Sequence, residues 1–383
     1  MRSEPRGQNA KLRAGFVMEQ ALGHVTHYRN LRAFTDRQAD IAPVWMPIRF
    51  DVSGLARLVP LLRSNWSVRA SWRARRWLDN IDAQTRLDAL LFHSQVTSLF
   101  SVEVMRHVPS LISLDATPIN YDSVGAFYGH KAAGNGLVDQ KKYELNVRAY
   151  RAARGFITWS NWARRSLIND YGIQADRIRV VAPGAPPMFF KIGRSRMNAI
   201  PAVTGRRTHV LFVGGDFDRK GGPVLLDLMN GPLGERIDLH LVTQSAVRPR
   251  RHVTVHRGLE PNSPALRDLF AAADIFVLPT HADCLAVVLE EAAAAGLPVI
   301  TTNVGALGEA VADGESGILI QPNDPSSLAA ALGALVADSR KRLNMGRAGH
   351  ALALRRFDAD RNNRAILDFM HEIAQDPALT WAA

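Results

Sequence analysis

The sequence predicts an α/β protein made of two doubly wound domains, each a parallel sheet flanked by helices. Three observations predict it. From residue 209 onward, apolar runs of strand length alternate with helical stretches of about ten residues, the pattern of a parallel sheet covered on both faces. Before residue 160 further apolar runs recur, less regularly. Between the two halves, residues 186–207 are rich in Pro, Gly and basic side chains and read as a linker.

The elements follow in order. A first strand falls at 15–18 and a helix at 27–33, then apolar strands at 88–93, 110–114 and 154–159. Ser160 or Asn161 caps a helix that stops at Gly172, and residues 179–181 lead into the segment 183–187. In the second half, strands at 209–213, 237–242, 253–256, 274–278, 298–301 and 317–320 alternate with helices at 222–229, 266–272, 283–295 and 325–336. Gly296 and Pro298 stop the third of these helices.

Composition narrows the class. Of 383 residues, 47% are apolar, enough for packed cores, and no apolar run approaches the roughly 18 residues of a membrane span. The first fifteen residues are polar and basic, unlike a signal peptide. The single cysteine, Cys284, excludes an internal disulfide and fits a reducing compartment. A net charge of +11 attracts anionic partners. We therefore expect a cytoplasmic protein, peripheral on the inner face of the membrane.

The stretch 283–296 carries the most chemistry. Read as a helix opened by Asp283, it places Glu291 eight positions on, so the two carboxylates share one face. Free N–H groups at a helix start suit a phosphate, and carboxylates suit hydroxyls. A ligand with both is a nucleotide sugar. Together with segments 160–168, 181–184, 213–222 and 304–309, this motif resembles the retaining family-four glycosyltransferases. Their fold, GT-B, is two Rossmann-like domains facing across a cleft. The resemblance implies an acceptor-binding domain at 1–185, a donor-binding domain at 208–355 and a final helix, within 356–383, that packs back on the first domain.

The resemblance also implies roles. Glu291 would hold the donor ribose. Asp283, one methylene shorter than the family's glutamate, would hold the donor sugar. At Cys284, Leu285 and Ala286 backbone N–H groups would meet the diphosphate, with Ala286 in place of a glycine. Lys220 matches the family's Lys-Gly pair, and Arg219 stands in for an upstream arginine that this chain lacks. Both would stabilise the leaving diphosphate, and Gly23 would face it from the other domain. Asp115, where many relatives carry a histidine nearby, would orient the acceptor hydroxyl or act as its base, with His130 a second candidate.

Each residue also has a plainer reading: Glu291 as a solvated helix residue, Asp283 as an N-cap, Arg219 and Lys220 as a basic loop, Asp115 as a strand-end cap, and Cys284 as a small buried thiol. The segment 54–78 carries six arginines and no acid, interleaved with tryptophans. Its Trp66, Arg69, Trp72 and Arg73 suit an acceptor or an anionic membrane surface; nucleic acid is not expected. Asp216 and Asp218 match the Asp-x-Asp metal motif of the other glycosyltransferase class, but their loop already has the Lys-Gly role. His24 and His27 lack an acidic or thiol neighbour at metal-ligand spacing. No metal or bound cofactor is expected.

The reading is a retaining transferase that moves a hexosyl group from a nucleotide-diphosphate sugar, uridine first and guanosine next. The acceptor would be a hydroxyl of a sugar, lipid-linked or small molecule. Its rivals are a sugar-nucleotide 2-epimerase of the same fold and a non-catalytic protein that binds nucleotide sugar or membrane.

Overall fold

The structure, a computed structural model, describes residues 11–375 apart from 22, 50, 52–64, 82–85, 129–133, 135 and 199–204. His130 and the 54–64 part of the Arg/Trp segment lie outside the described residues. The chain divides into two compact units: residues 1–119, 133–181 and 361–383 form one, and residues 120–132 and 182–360 the other.

The first unit is built on a six-stranded parallel sheet, ordered β2-β1-β3-β4-β5-β6. Its strands are β1 Leu12–Gln20, β2 Ile41–Arg49, β3 Ala89–His93, β4 Ser110–Leu114, β5 Gly155–Thr158 and β6 Ile178–Val180. Alternate side chains enter opposite faces. Phe16, Leu91 and Ile157 join one buried cluster, and Val17, Phe92 and Phe156 the other. Strand β2 carries Pro43 and Pro47, which a sheet tolerates at its edge, where one row of N–H groups needs no partner strand. The helix Ala359–Gln375 presents Ile366, Leu367, Met370 and Ile373 at helical spacing to the cluster of Phe16 and Leu31.

The second unit has its own six-stranded parallel sheet, ordered β12-β11-β10-β7-β8-β9. Here β7 is Thr208–Val213, β8 Ile237–Val242, β9 Val253–His256, β10 Ile275–Leu278, β11 Val299–Thr302 and β12 Gly317–Ile320. The stretch read as a linker is corrected by the structure: it begins with a helix, Pro187–Met197. Proline at the helix start is already preset for helical φ, and Phe189 and Phe190 are buried. Arg196 then donates to the carbonyls of Phe270, Ala273 and Ala295 at 2.8, 2.8 and 3.1 Å, fastening this helix inside the unit.

In both sheets the strand order reverses beside the first strand, between β1 and β3 and between β7 and β10. Open parallel sheets bind ligands at the carboxyl ends of the strands flanking such a reversal. The residues singled out above lie largely there. Among the described residues, no helix is long and apolar enough to cross a membrane.

Candidate active site

In the second unit the site is made by the loops that follow β7 and β10. After Val213 the chain turns through 214–222, with Lys220 N donating to Asp216 O at 3.1 Å and Gly222 N to Phe217 O at 2.8 Å. Gly221 is left-handed, with φ +80°, and a Cβ there would stand 2.0 Å from the Pro279 carbonyl oxygen. Gly221→Ala is therefore expected to cost about 3 kcal/mol of stability, read from urea denaturation. The two loops are stitched together. His281 N donates to Arg219 O at 2.8 Å, and Thr280 Oγ1 bonds the Arg219 and Ala282 carbonyls at 3.1 and 3.0 Å.

This stitching fixes the two cations differently. Arg219 is buried: Nε donates to Asp216 at 3.1 Å, and Nη1 to the Ala282 carbonyl at 2.7 Å and to the Tyr128 hydroxyl at 3.1 Å. Its guanidinium lies 4.2 Å over the Tyr128 ring. Only Nη2 has no protein acceptor among the described residues. Lys220 Nζ forms an ion pair with the Asp283 carboxylate. Asp216, taken by Arg219, is half of the Asp-x-Asp match.

Asp283 corrects the expectation of one long helix. The helix runs from Val287 to Ala294 with extended Ala286 as its N-cap, and Asp283 lies in the loop before it. It neither caps that helix nor shares a face with Glu291. The cause is tertiary. Gly305, at φ +54°, lets the 304–306 turn approach so closely that a Cβ would stand 2.1 Å from Asp283 O. Ala306 N then donates to Cys284 O at 2.8 Å, so this carbonyl faces the turn. The buried N–H groups of Leu285 and Ala286 donate to no acceptor among the described residues. Cys284 is a buried thiol that takes part in no disulfide.

Glu291 is 5% exposed, and no donor reaches its carboxyl among the described residues. Burial alone pushes it up to about 8. A solvated helix residue would show neither property. A buried acceptor without a protein donor is matched to a ligand that brings donors.

Its neighbour Glu290 escaped the sequence reading, because only the second carboxylate of the pair fits the motif. Fully buried, it accepts from Gly184 N at 2.7 Å and so holds the 181–187 loop. Burial pushes it up to about 8 from an ordinary 4.5, against the Gly184 hydrogen bond. A raised acid binds more protons folded than unfolded, so its contribution is full at low pH and is lost as pH rises towards 8. Glu290→Gln keeps the acceptor for Gly184 without titrating. From pH 6.5 to 8 its melting temperature should therefore fall less than the wild type's, as read by calorimetry.

In the first unit, Asp115 follows β4 and meets His24, the first residue of the His24–Thr35 helix. His24 Nε2 lies 3.3 Å from Asp115 and Nδ1 3.5 Å from Glu19, at the end of β1. Glu19 accepts from Trp66 Nε1 at 2.8 Å and from the Ser94 hydroxyl. Burial alone would push His24 down; Asp115 and then Glu19 outweigh it, and the imidazole rises to about 9. His27 is pushed down to about 3 by burial and by His24, and His93 well below its ordinary range. His24 thus has the acidic neighbours that sequence spacing did not show. Gly23 caps the same helix, and a Cβ there would meet nothing within 4 Å.

The helix Trp66–Asn80 corrects part of the membrane-facing expectation. Arg69 is 4% exposed, Trp66 is turned onto Glu19, and Arg73 donates to Arg49 O at 2.5 Å. Trp72 stacks with Arg76 at 5.4 Å. The structure thus gathers Arg219, Lys220, Asp283, Cys284–Ala286 and Glu291 in one unit, and Asp115 and Gly23 with His24 and Glu19 in the other.

A family profile described as "Glycosyltransferase Family 4" matches residues 25–187, and one described as "Glycosyl transferases group 1" matches residues 197–338. A D-inositol 3-phosphate glycosyltransferase from Paenarthrobacter aurescens is 32% identical over 198 residues, 47% of this chain and 48% of that protein. One from Rhodococcus opacus is 33% identical over 194 residues, 45% of this chain and 43% of that protein. The chain thus spans about half the length of the curated relatives it matches. Among solved structures, a sucrose-phosphate synthase from Thermosynechococcus elongatus matches with a TM-score of 0.74 at 17% identity, over 95% of this chain and 99% of that one. Anabaena HepE, in complex with UDP and glucose, matches at 0.65 and 17% identity, over 94% of this chain and 100% of that one. These likenesses show the GT-B fold. The chain belongs to the family-four, group 1 glycosyltransferases.

Proposed function

We propose that this glycosyltransferase moves a hexosyl group from a nucleotide-diphosphate sugar, UDP-linked by preference, to an acceptor hydroxyl, with retention and without metal. One observation carries the reading. Glu291, a buried carboxyl with no protein donor among the described residues, shares a unit with the Lys220–Asp283 pair and with the N–H groups of Leu285 and Ala286, which find no acceptor among them either. Ribose hydroxyls supply the donors that Glu291 lacks, and the diphosphate supplies the acceptor that the N–H groups lack. The preference for UDP is supported by the complexes of Anabaena HepE with UDP and with UDP-glucose.

In the proposed reaction Lys220, Nη2 of Arg219 and the two N–H groups stabilise charge on the departing diphosphate. Asp283 accepts from the donor sugar's hydroxyls, and Asp115 orients the acceptor. The acceptor oxygen bonds to the anomeric carbon on the face the diphosphate leaves, and a donor phosphate oxygen takes the acceptor proton. No strong protein base is needed.

The test is incubation with UDP- and GDP-sugars and a mixed acceptor pool in EDTA. Products are found by mass spectrometry, and their anomeric configuration by NMR coupling constants. Transfer with retention in EDTA is the expected result. Epimerised donor without transfer, or inversion, would overturn the reading. Loss in EDTA that added metal restores would assign Asp216 and Asp218 a metal instead.

A further inference from the structure

We infer that the acceptor met by Asp115 is an uncharged hydroxyl compound, a polyol or sugar, and not a phosphorylated one. This rests on the transfer reading above and deepens it.

The inference comes from the sign and the open valence of one cluster. Glu19, His24 and Asp115 stand together at the carboxyl ends of β1 and β4, linked through the two nitrogens of His24. Two carboxylates against one imidazolium leave a net negative charge. His27 and His93 pack around it, their rings 5.0 Å apart, and burial keeps both neutral. Neither carboxylate has a Lys or Arg partner among the described residues.

The two carboxylates differ in what remains open. Glu19 is filled by Trp66, Ser94 and His24, and its side chain is 9% exposed. Asp115 meets only His24 among the described residues, and its side chain is 21% exposed. The open group is therefore the second oxygen of Asp115, an acceptor held oriented by His24. A carboxylate accepts from a hydroxyl and repels a phosphate oxygen. The curated relatives carry D-inositol 3-phosphate in their name; this cluster has the wrong sign for its phosphate. His24 is a positioning residue, holding Asp115 through its Nε2.

The test uses the full chain with UDP-glucose and, in parallel, GDP-mannose. Acceptors are an equimolar pool of myo-inositol, glucose and glycerol with their monophosphates, inositol 3-phosphate among them. Products are counted by mass spectrometry, and nucleotide binding is followed by thermal shift in the same samples. We expect at least about tenfold more product from neutral members than from their phosphates. Equal or greater transfer to the phosphates would overturn the inference. So would nucleotide binding with no product from any neutral member. Failure to bind any nucleotide would instead overturn the donor reading on which this one rests.

Asp115→Asn keeps the shape and removes the charge. It is expected to raise the ratio of phosphorylated to neutral product by about tenfold, a change that a purely structural role would not produce. An unmoved ratio would rule out charge as the cause.

Discussion

Glu291→Ala is expected to weaken nucleotide binding by about a hundredfold or more, with turnover falling at least as far. The expectation follows from a buried carboxyl that no donor reaches among the described residues. Hydrogen bonds from two ribose hydroxyls to a charged or strongly polar acceptor are each worth about 1.5–3 kcal/mol, so losing both spans the predicted range. Stability should move the other way. Burial pushes Glu291 up to about 8, so at pH 8 and above the protein bears the strain of a buried carboxylate that has no partner among the described residues. Glu291→Gln removes that strain with little change in shape. Its melting temperature at pH 8 should equal or exceed the wild type's while transfer falls. Calorimetry and a transfer assay on the same preparation check both halves. A Glu291→Gln chain that melts lower and still transfers fully would return the residue to a structural role.

Lys220→Ala is expected to lower kcat/KM on the order of a hundredfold, the usual effect of removing a group that meets developing negative charge. Its binding signature should be selective. Affinity for the nucleoside diphosphate should fall while affinity for the nucleoside is kept, because Lys220 is assigned to the phosphates and Glu291 to the ribose. Titration calorimetry with UDP and uridine separates the two. The ion pair with Asp283 gives Lys220 a second job, because among the described residues Asp283 would otherwise have only the cation of Arg219, 3.9 Å away. Lys220→Arg keeps a cation beside Asp283 and is expected to melt within a few degrees of wild type. A loss of uridine and UDP binding in equal measure would contradict the phosphate assignment.

Much of the second unit was legible because its strands are short apolar runs bounded by glycine, proline or acidic residues. The Asp283 loop was not. Cys284, Leu285 and Ala286 run straight into good helix formers, and nothing local reports that Gly305 and Ala306 hold the backbone at 283–284 away from the helix. In the first unit β2 was hidden by Pro43 and Pro47, which become tolerable only once the strand is known to be an edge. The helix Pro187–Met197 was hidden by the same composition that marks linkers. The carboxylates around His24 come from the ends of different strands, so their meeting is a product of topology and not of spacing. Glu290 was overlooked beside Glu291 because its role depends on a loop more than a hundred residues away.

The measurement that tests the central claim most directly is thermal stabilisation by UDP, GDP, ADP and their sugars, without metal, in wild type and Glu291→Ala. The account predicts a clear rise in melting temperature with one nucleotide family, UDP by preference, and its disappearance in the variant. A rise that survives in Glu291→Ala, or none with any nucleotide, would contradict it.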